Sequence, residues 1–159
     1  MRKRTIRKVL SLINPITHAI EGCAISQDKE LNKVRMAELA SIDAFALGRA
    51  TLQEWHDLNT LQSIAETMSM GGVGPEALEA CQEAENALLD AAVRFEKTGR
   101  MGLTGPGLEA MRELFRWHDL QRTSISRSKY EYWLVKTKAR MQNKSAGVRV
   151  LNHSVLEAA

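Results

Sequence analysis

Between residues 29 and 122 apolar side chains recur at spacings that place them on one face of a helix. Leu31, Val34, Leu39, Ile42 and Phe45 make one such stripe, with Gly48 near its end and Asp28 placed to cap its start. Leu52, Trp55, Leu58, Leu61, Ala65 and Met68 make a second. Thr51 and Glu54 ahead of it fit a capping box, in which each side chain satisfies the other's free amide. Gly71 and Gly72 stop that helix, and Gly74-Pro75 opens another through Leu78, Cys81, Leu88, Ala92 and Phe95 to Gly99. Gly105-Pro106 opens a fourth through Leu108, Met111, Leu114, Phe115 and Leu120. Thr123, Ser124, Ser126 and Ser128 compete with the backbone for hydrogen bonds, so a break is expected at 123–128. Ser128 and Glu131 then offer a capping box for a basic helix reaching about Met141. Asn14-Pro15 can start a further short helix near the N-terminus.

No segment alternates with period two, so the fold class expected is all-α: a single-domain helical bundle of about five to six helices with a basic C-terminal helix and tail. Residues 1–141 form the helical domain in this reading, and 142–159 a flexible tail.

Composition narrows the setting. The chain has 159 residues, enough for one domain with a real core. Cys23 and Cys81 are too few for a disulfide framework and sit among small apolar residues, as buried free thiols do. No stretch approaches the roughly 20 apolar residues of a membrane span. The basic, then apolar N-terminus is interrupted at Asn14-Pro15 and His18, so it reads as part of a mature protein in the cytoplasm of a bacterial host cell. The net charge of +3 hides an asymmetry: the first 20 residues are basic only, 21–120 carry nine basic and seventeen acidic residues, and 121–159 carry eight basic and two acidic. An acidic body between basic ends favours an anionic partner, nucleic acid or an acidic protein face.

Trp-His-Asp-Leu occurs twice, at 55–58 and 117–120. Trp and Leu three apart share a helix face, so Trp55/Leu58 and Trp117/Leu120 are expected core anchors, with each His-Asp at the boundary. That packing reading is favoured. The alternative is chemical: two His and two Asp from separate helices suit a divalent metal. The order His18, His56-Asp57, Asp119 resembles the pattern of HD-domain phosphohydrolases, which are all-α. The resemblance implies those four residues as metal ligands, a metal-activated water and a phosphate ester substrate. It departs from that family in lacking a glycine soon after the doublet. On the favoured reading there is no catalytic residue, no metal and no cofactor. Gly-Pro-Glu-Ala-Leu-Glu-Ala at 74–80 echoes Gly-Pro-Gly-Leu-Glu-Ala at 105–110, but the offsets do not match that of the tetrapeptides, so no repeat array is inferred. The glycine loops lack the Lys-Ser/Thr of a phosphate-binding loop.

Two basic clusters are the candidate binding residues: Arg2, Lys3, Arg4, Arg7 and Lys8 at one end, and Arg122, Arg127, Lys129, Lys136, Lys138 and Arg140 at the other, the latter interleaved with Tyr130, Tyr132 and Trp133. Tyr130, Trp133 and Leu134 share a helix side and are expected to dock on the core. No base-reading motif is present, so any contact to DNA or RNA would be with the backbone.

The succession "NPITHAI", "WHDL", "GVGPEAL", "TGPGL" and "HDLQRTSISRSKYE" resembles small helical proteins encoded by phages, prophages and plasmids of Proteobacteria. The resemblance implies a mobile-element setting, in which small proteins often bind and block host machinery. The function expected is non-enzymatic binding of a host protein or nucleoprotein complex, in its most concrete form inhibition of a host defence of CRISPR type. Sequence-nonspecific nucleic-acid binding by the basic ends is the alternative.

Overall fold

The structure is a computed structural model that describes residues 29–144. Its elements are α1 (Lys29–Ala46), α2 (Leu52–Met70), a short 3-10 turn (Pro75–Ala77), α3 (Leu78–Thr98), α4 (Gly105–Ser124) and α5 (Arg127–Lys144). Among the described residues there is no strand, and the protein is a single-domain all-α bundle. The segments expected around Asn14-Pro15, Asp28 and 145–159 lie outside the described residues.

Local chemistry sets the helix ends. Thr51 and Glu54 close the expected capping box, with the Thr51 amide 2.7 Å from the Glu54 carboxylate. Gly99 ends α3 in the left-handed region at φ 68°, which glycine adopts without a Cβ clash. Thr104 caps α4 by accepting from the Gly107 amide at 3.1 Å. The break falls at Ile125-Ser126, and α5 runs to Lys144, three residues past the expected end. Its cap is Ser126, which accepts from the Lys129 amide at 3.3 Å, whereas Glu131 pairs with Arg127 at 3.0 Å.

Helix α2 is the axis of the bundle and packs against each of the other four helices. From Leu61 to Ser69 every residue except Glu66 is buried, so the single expected stripe understates its role. A helix buried all round must satisfy its polar side chains internally. Gln62 donates to the Cys81 carbonyl, Thr67 to that of Ser63, and Ser69 to those of Ala65 and Gly74. The main core joins Ile42, Phe45, Trp55, Leu58, Leu61, Cys81, Leu88, Met111 and Leu114. A smaller cluster of Ile64, Met68, Tyr130 and Trp133 lies under α5, with Leu31, Val73 and Ile125 at its edge. On α1 the expected stripe is partly wrong: Ile42 and Phe45 are buried, but Val34 is 45% exposed.

Candidate functional site: a buried polar chain and a basic outer helix

The two Trp-His-Asp-Leu copies present opposite faces. In α2, Trp55 and Leu58 are buried, and the Trp55 indole N–H donates to the Leu88 carbonyl at 2.9 Å. The His56 ring stands edge-on to Trp55, with centroids 5.3 Å apart. Asp57 accepts from Ser41 Oγ at 3.1 Å and Gln53 Nε2 at 2.9 Å. In α4 the register is turned. Leu120 is 61% exposed and Trp117 half-buried, while His118 is fully buried. The core-anchor expectation therefore holds for the first copy and fails for the second. The cause is the buried series Gly107, Met111, Leu114, His118, Gln121 of α4, whose steps of four and three carry the inward face onto the histidine.

His118 belongs to a directional chain of hydrogen bonds. Gln121 Nε2 lies within reach of the Val73 carbonyl (2.8 Å), Ser69 Oγ (2.9 Å) and the Ala65 carbonyl (3.2 Å). Its Oε1 therefore faces His118 Nδ1 at 3.0 Å, and that nitrogen carries the proton. Nε2 then accepts from the Tyr130 hydroxyl at 3.2 Å, whose oxygen accepts from Arg122 Nε at 3.3 Å. Arg122 ends the chain in a buried pair with both oxygens of Glu38. The chain ties α1, α2, the 71–74 turn, α4 and α5 together.

Burial, reinforced by the neighbouring Arg122 guanidinium, pushes His118 down from its ordinary 6.5 to about 3. Burial raises the Glu38 carboxyl, although Arg122 opposes the shift. The histidine shift has a consequence for stability. Below pH 6.5 the unfolded chain takes a proton on this histidine that the folded chain refuses down to about pH 3. Stability should therefore fall as pH drops through that window, by up to about 1.4 kcal/mol per unit. Glu38, raised by burial, acts in the opposite sense: the folded chain takes its proton above the ordinary carboxylate range, which adds stability as pH falls. Urea unfolding between about pH 5 and 6.5 should show this slope in the wild type and its loss in His118→Gln. Parallel curves for the two proteins would refute the assignment.

Two further residues bridge α1 and α4. Arg35 donates from Nε and from a terminal nitrogen to the two oxygens of Asp119, each at 2.6 Å. With Glu38 on Arg122, the pairs 35–119 and 38–122 form a two-rung ladder whose numbers rise together. Opposite signs alternate along each helix. A slip of one turn would set Arg35 against Arg122 in one direction, or Glu38 against Asp119 in the other, so the ladder fixes register.

The metal pattern is not assembled by these helices. Among the described residues no group of three or more His, Cys, Asp or Glu is placed to hold a metal ion. Asp119 is occupied by Arg35, and Asp57 by Ser41 and Gln53. His18 lies outside the described residues, as does Cys23. Cys81 is a buried free thiol, its pKa raised by burial to about 11, which leaves it a packing group rather than a nucleophile.

The basic residues divide in the same way. Arg2, Lys3, Arg4, Arg7 and Lys8 lie outside the described residues. Arg122 is no surface residue: it is 3% exposed and committed to Glu38. Arg127 pairs with Glu131, and Arg140 with Glu66 and Thr67. Lys129, Lys136 and Lys138 remain exposed on α5. Lys129 Nζ lies 4.9 Å and Lys136 Nζ 5.5 Å from the centroid of the exposed Tyr132 ring. Tyr130 and Trp133 dock on the core as expected, but Leu134 does not: it is 37% exposed beside Val135 and Met141. The alternation of lysines with aliphatic residues at 134–141 was the available signal for an outward-facing mixed surface.

The fold and its bonding define a small all-α bundle organised around a buried polar chain. No family model matches this sequence, and no curated protein or solved structure matches it.

Proposed function

We propose that this protein works by binding a macromolecular partner and carries no chemistry of its own. The observation that carries the reading is the outer surface of α5. There Tyr132, Leu134, Val135 and Met141 are exposed among Lys129, Lys136 and Lys138, and several large apolar and aromatic side chains exposed on one helix mark an interaction surface rather than a merely solvated one. The polar residues of the two tetrapeptides support it, because the described bonds use His118, Asp57 and Asp119 to hold helices together.

The bundle is also electrically polarised. Glu79, Glu83, Asp90 and Glu96 are exposed on α3, whereas α5 carries six basic residues against one acidic. An acidic helix on one side suits a basic, nucleic-acid-binding surface, and a basic helix suits an acidic one. Together with the resemblance to mobile-element proteins, this makes a host-defence nucleoprotein complex of CRISPR type the partner to test first, with the protein as its inhibitor in the bacterial cytoplasm.

The experiment mixes the full-length chain with purified CRISPR effector ribonucleoproteins. It reads retention and target cleavage at low and high salt. The expected result is retention at low salt that weakens steeply as salt screens the charges, together with slowed cleavage. Absence of both at low salt across the panel would defeat the reading. A mobility shift of free DNA or RNA, abolished in Lys129→Glu/Lys136→Glu/Lys138→Glu, would instead establish direct nucleic-acid binding. That second reading draws on the lysine-flanked Tyr132 ring, since rings stack on bases.

A further inference from the structure

We propose that the flank of α5 carrying Lys129, Tyr132 and Lys136 holds single-stranded nucleic acid, with one base stacked on the Tyr132 ring and the neighbouring phosphates on the two lysines. The inference rests on the binding reading above and names the component of a nucleoprotein partner that α5 touches.

Helical spacing brings the three residues together. Lys129, Tyr132 and Lys136 follow one another at steps of three and four, so they share one stripe of α5. That stripe is separate from the edge formed by Leu134, Lys138 and Met141 beside α2. The Tyr132 ring is 46% exposed and is set edge to face with the indole of Trp133, their centroids 5.1 Å apart. Trp133 is itself buried against Gly71. The tyrosine therefore leans on an anchored ring and still shows much of its own surface to solvent.

Charge completes the arrangement. Lys129 Nζ lies 4.9 Å from the Tyr132 centroid and 5.9 Å from that of Trp133, and Lys136 Nζ lies 5.5 Å from the Tyr132 centroid. Both ammonium groups converge on one ring, although seven residues, or about 10 Å of helix, separate their origins. Among the described residues neither lysine has a carboxylate partner: Glu131 pairs with Arg127, and Glu66 with Arg140. An ammonium on an exposed ring is only weakly held. Each lysine can therefore turn to a phosphate while a base takes its place on the ring. A ring on a convex helix can stack on a base only when that base is out of a duplex. An acidic protein face would engage the lysines without needing the ring between them. Sequence preference should be slight, because every base has a π-face.

The test follows the anisotropy of a fluorescein-labelled oligothymidylate of about 12 nucleotides mixed with the full-length protein. Saturable binding is expected at low salt, with the same strand in a duplex bound at least about tenfold more weakly. Tyr132→Ala should weaken single-strand binding about tenfold, whereas Tyr132→Phe keeps the ring and should bind as the wild type does. Lys129→Gln/Lys136→Gln should weaken binding and lower the slope of log K against log salt by about 1.4, as for two phosphate contacts. These side chains are exposed, and unchanged thermal unfolding of the variants confirms that the fold is kept. No binding at low salt would overturn the proposal, as would equal affinity for the duplex or wild-type affinity in Tyr132→Ala. Equal losses in Tyr132→Phe and Tyr132→Ala would also overturn it. If the oligonucleotide is not bound but effector complexes are retained, this face is refuted while the wider binding reading stands. If the oligonucleotide is bound as described but no effector complex is retained, the face stands and the partner named above falls.

Discussion

Glu38→Leu is expected to destabilise the protein by about 3–5 kcal/mol, the largest loss for any single substitution considered. The reason is the group left behind. Arg122 is 3% exposed; among the described residues Glu38 is the carboxylate in direct hydrogen-bond contact with it, and Asp119 stands farther off at 3.8 Å. Removing the glutamate leaves a buried cation to be desolvated with little compensation. The double variant Glu38→Leu/Arg122→Met removes both charges and should recover most of the loss, because a buried pair gains little over well-packed apolar groups of similar size. The Tyr130 hydroxyl would still donate to His118 in that variant. Urea unfolding of the wild type, the two single variants and the double variant gives the coupling directly. A loss below about 1 kcal/mol in Glu38→Leu would show that water or rearrangement relieves the charge.

Gly71→Ala comes second, and its cause is steric. Gly71 has φ −85°, a conformation open to any residue, so backbone freedom is not the issue. A Cβ built there would lie 1.9 Å from Trp133 Cη2 and 2.4 Å from Cζ3. The indole rests directly on the glycine, and its ring is too rigid to yield without moving α5. A cost of about 1–3 kcal/mol is expected, typical of overpacking. The displaced tryptophan should be more exposed, and its fluorescence emission should shift to the red. Gly72→Ala is the contrast: nothing lies within 4 Å of its Cβ, so its cost comes from the positive φ of 91° alone and Trp133 should stay in place. Identical emission spectra for Gly71→Ala and the wild type would contradict the packing described.

Much of the bundle was legible from residue spacing because helix ends are written in local chemistry. The Thr51/Glu54 box, the Gly99 exit and the break before α5 depend on residues within a few positions of one another. What escaped depends on tertiary context. Leu120 looked like an anchor because it follows Trp117 by three, yet the inward face of α4 had already been set by Met111 and Leu114. Continuing that series would have landed on His118 and Gln121, polar residues that one expects to find outside. The partners that make them tolerable, Tyr130, Ser69 and the Val73 carbonyl, come from other elements and leave no mark near positions 118–121. Likewise Arg122 counted as one of a run of surface cations until its mate, 84 positions away, was in view. The candidate surface was half legible: the basic character of α5 is plain in composition, but its exposed apolar edge at Leu134 and Met141, facing Thr60 and Ile64 of α2, emerges only from the fold.

The small cluster under α5 is separate from the main core, and that helix rests chiefly on α2, with Tyr130 reaching α4. The bundle therefore has a seam. Amide protons of α5 can exchange through a partial opening that leaves Leu58, Leu61 and Leu88 sealed, at a lower free energy than global unfolding. A ligand held at the seam would raise that opening energy first, so its footprint in hydrogen exchange would be concentrated in the last helix.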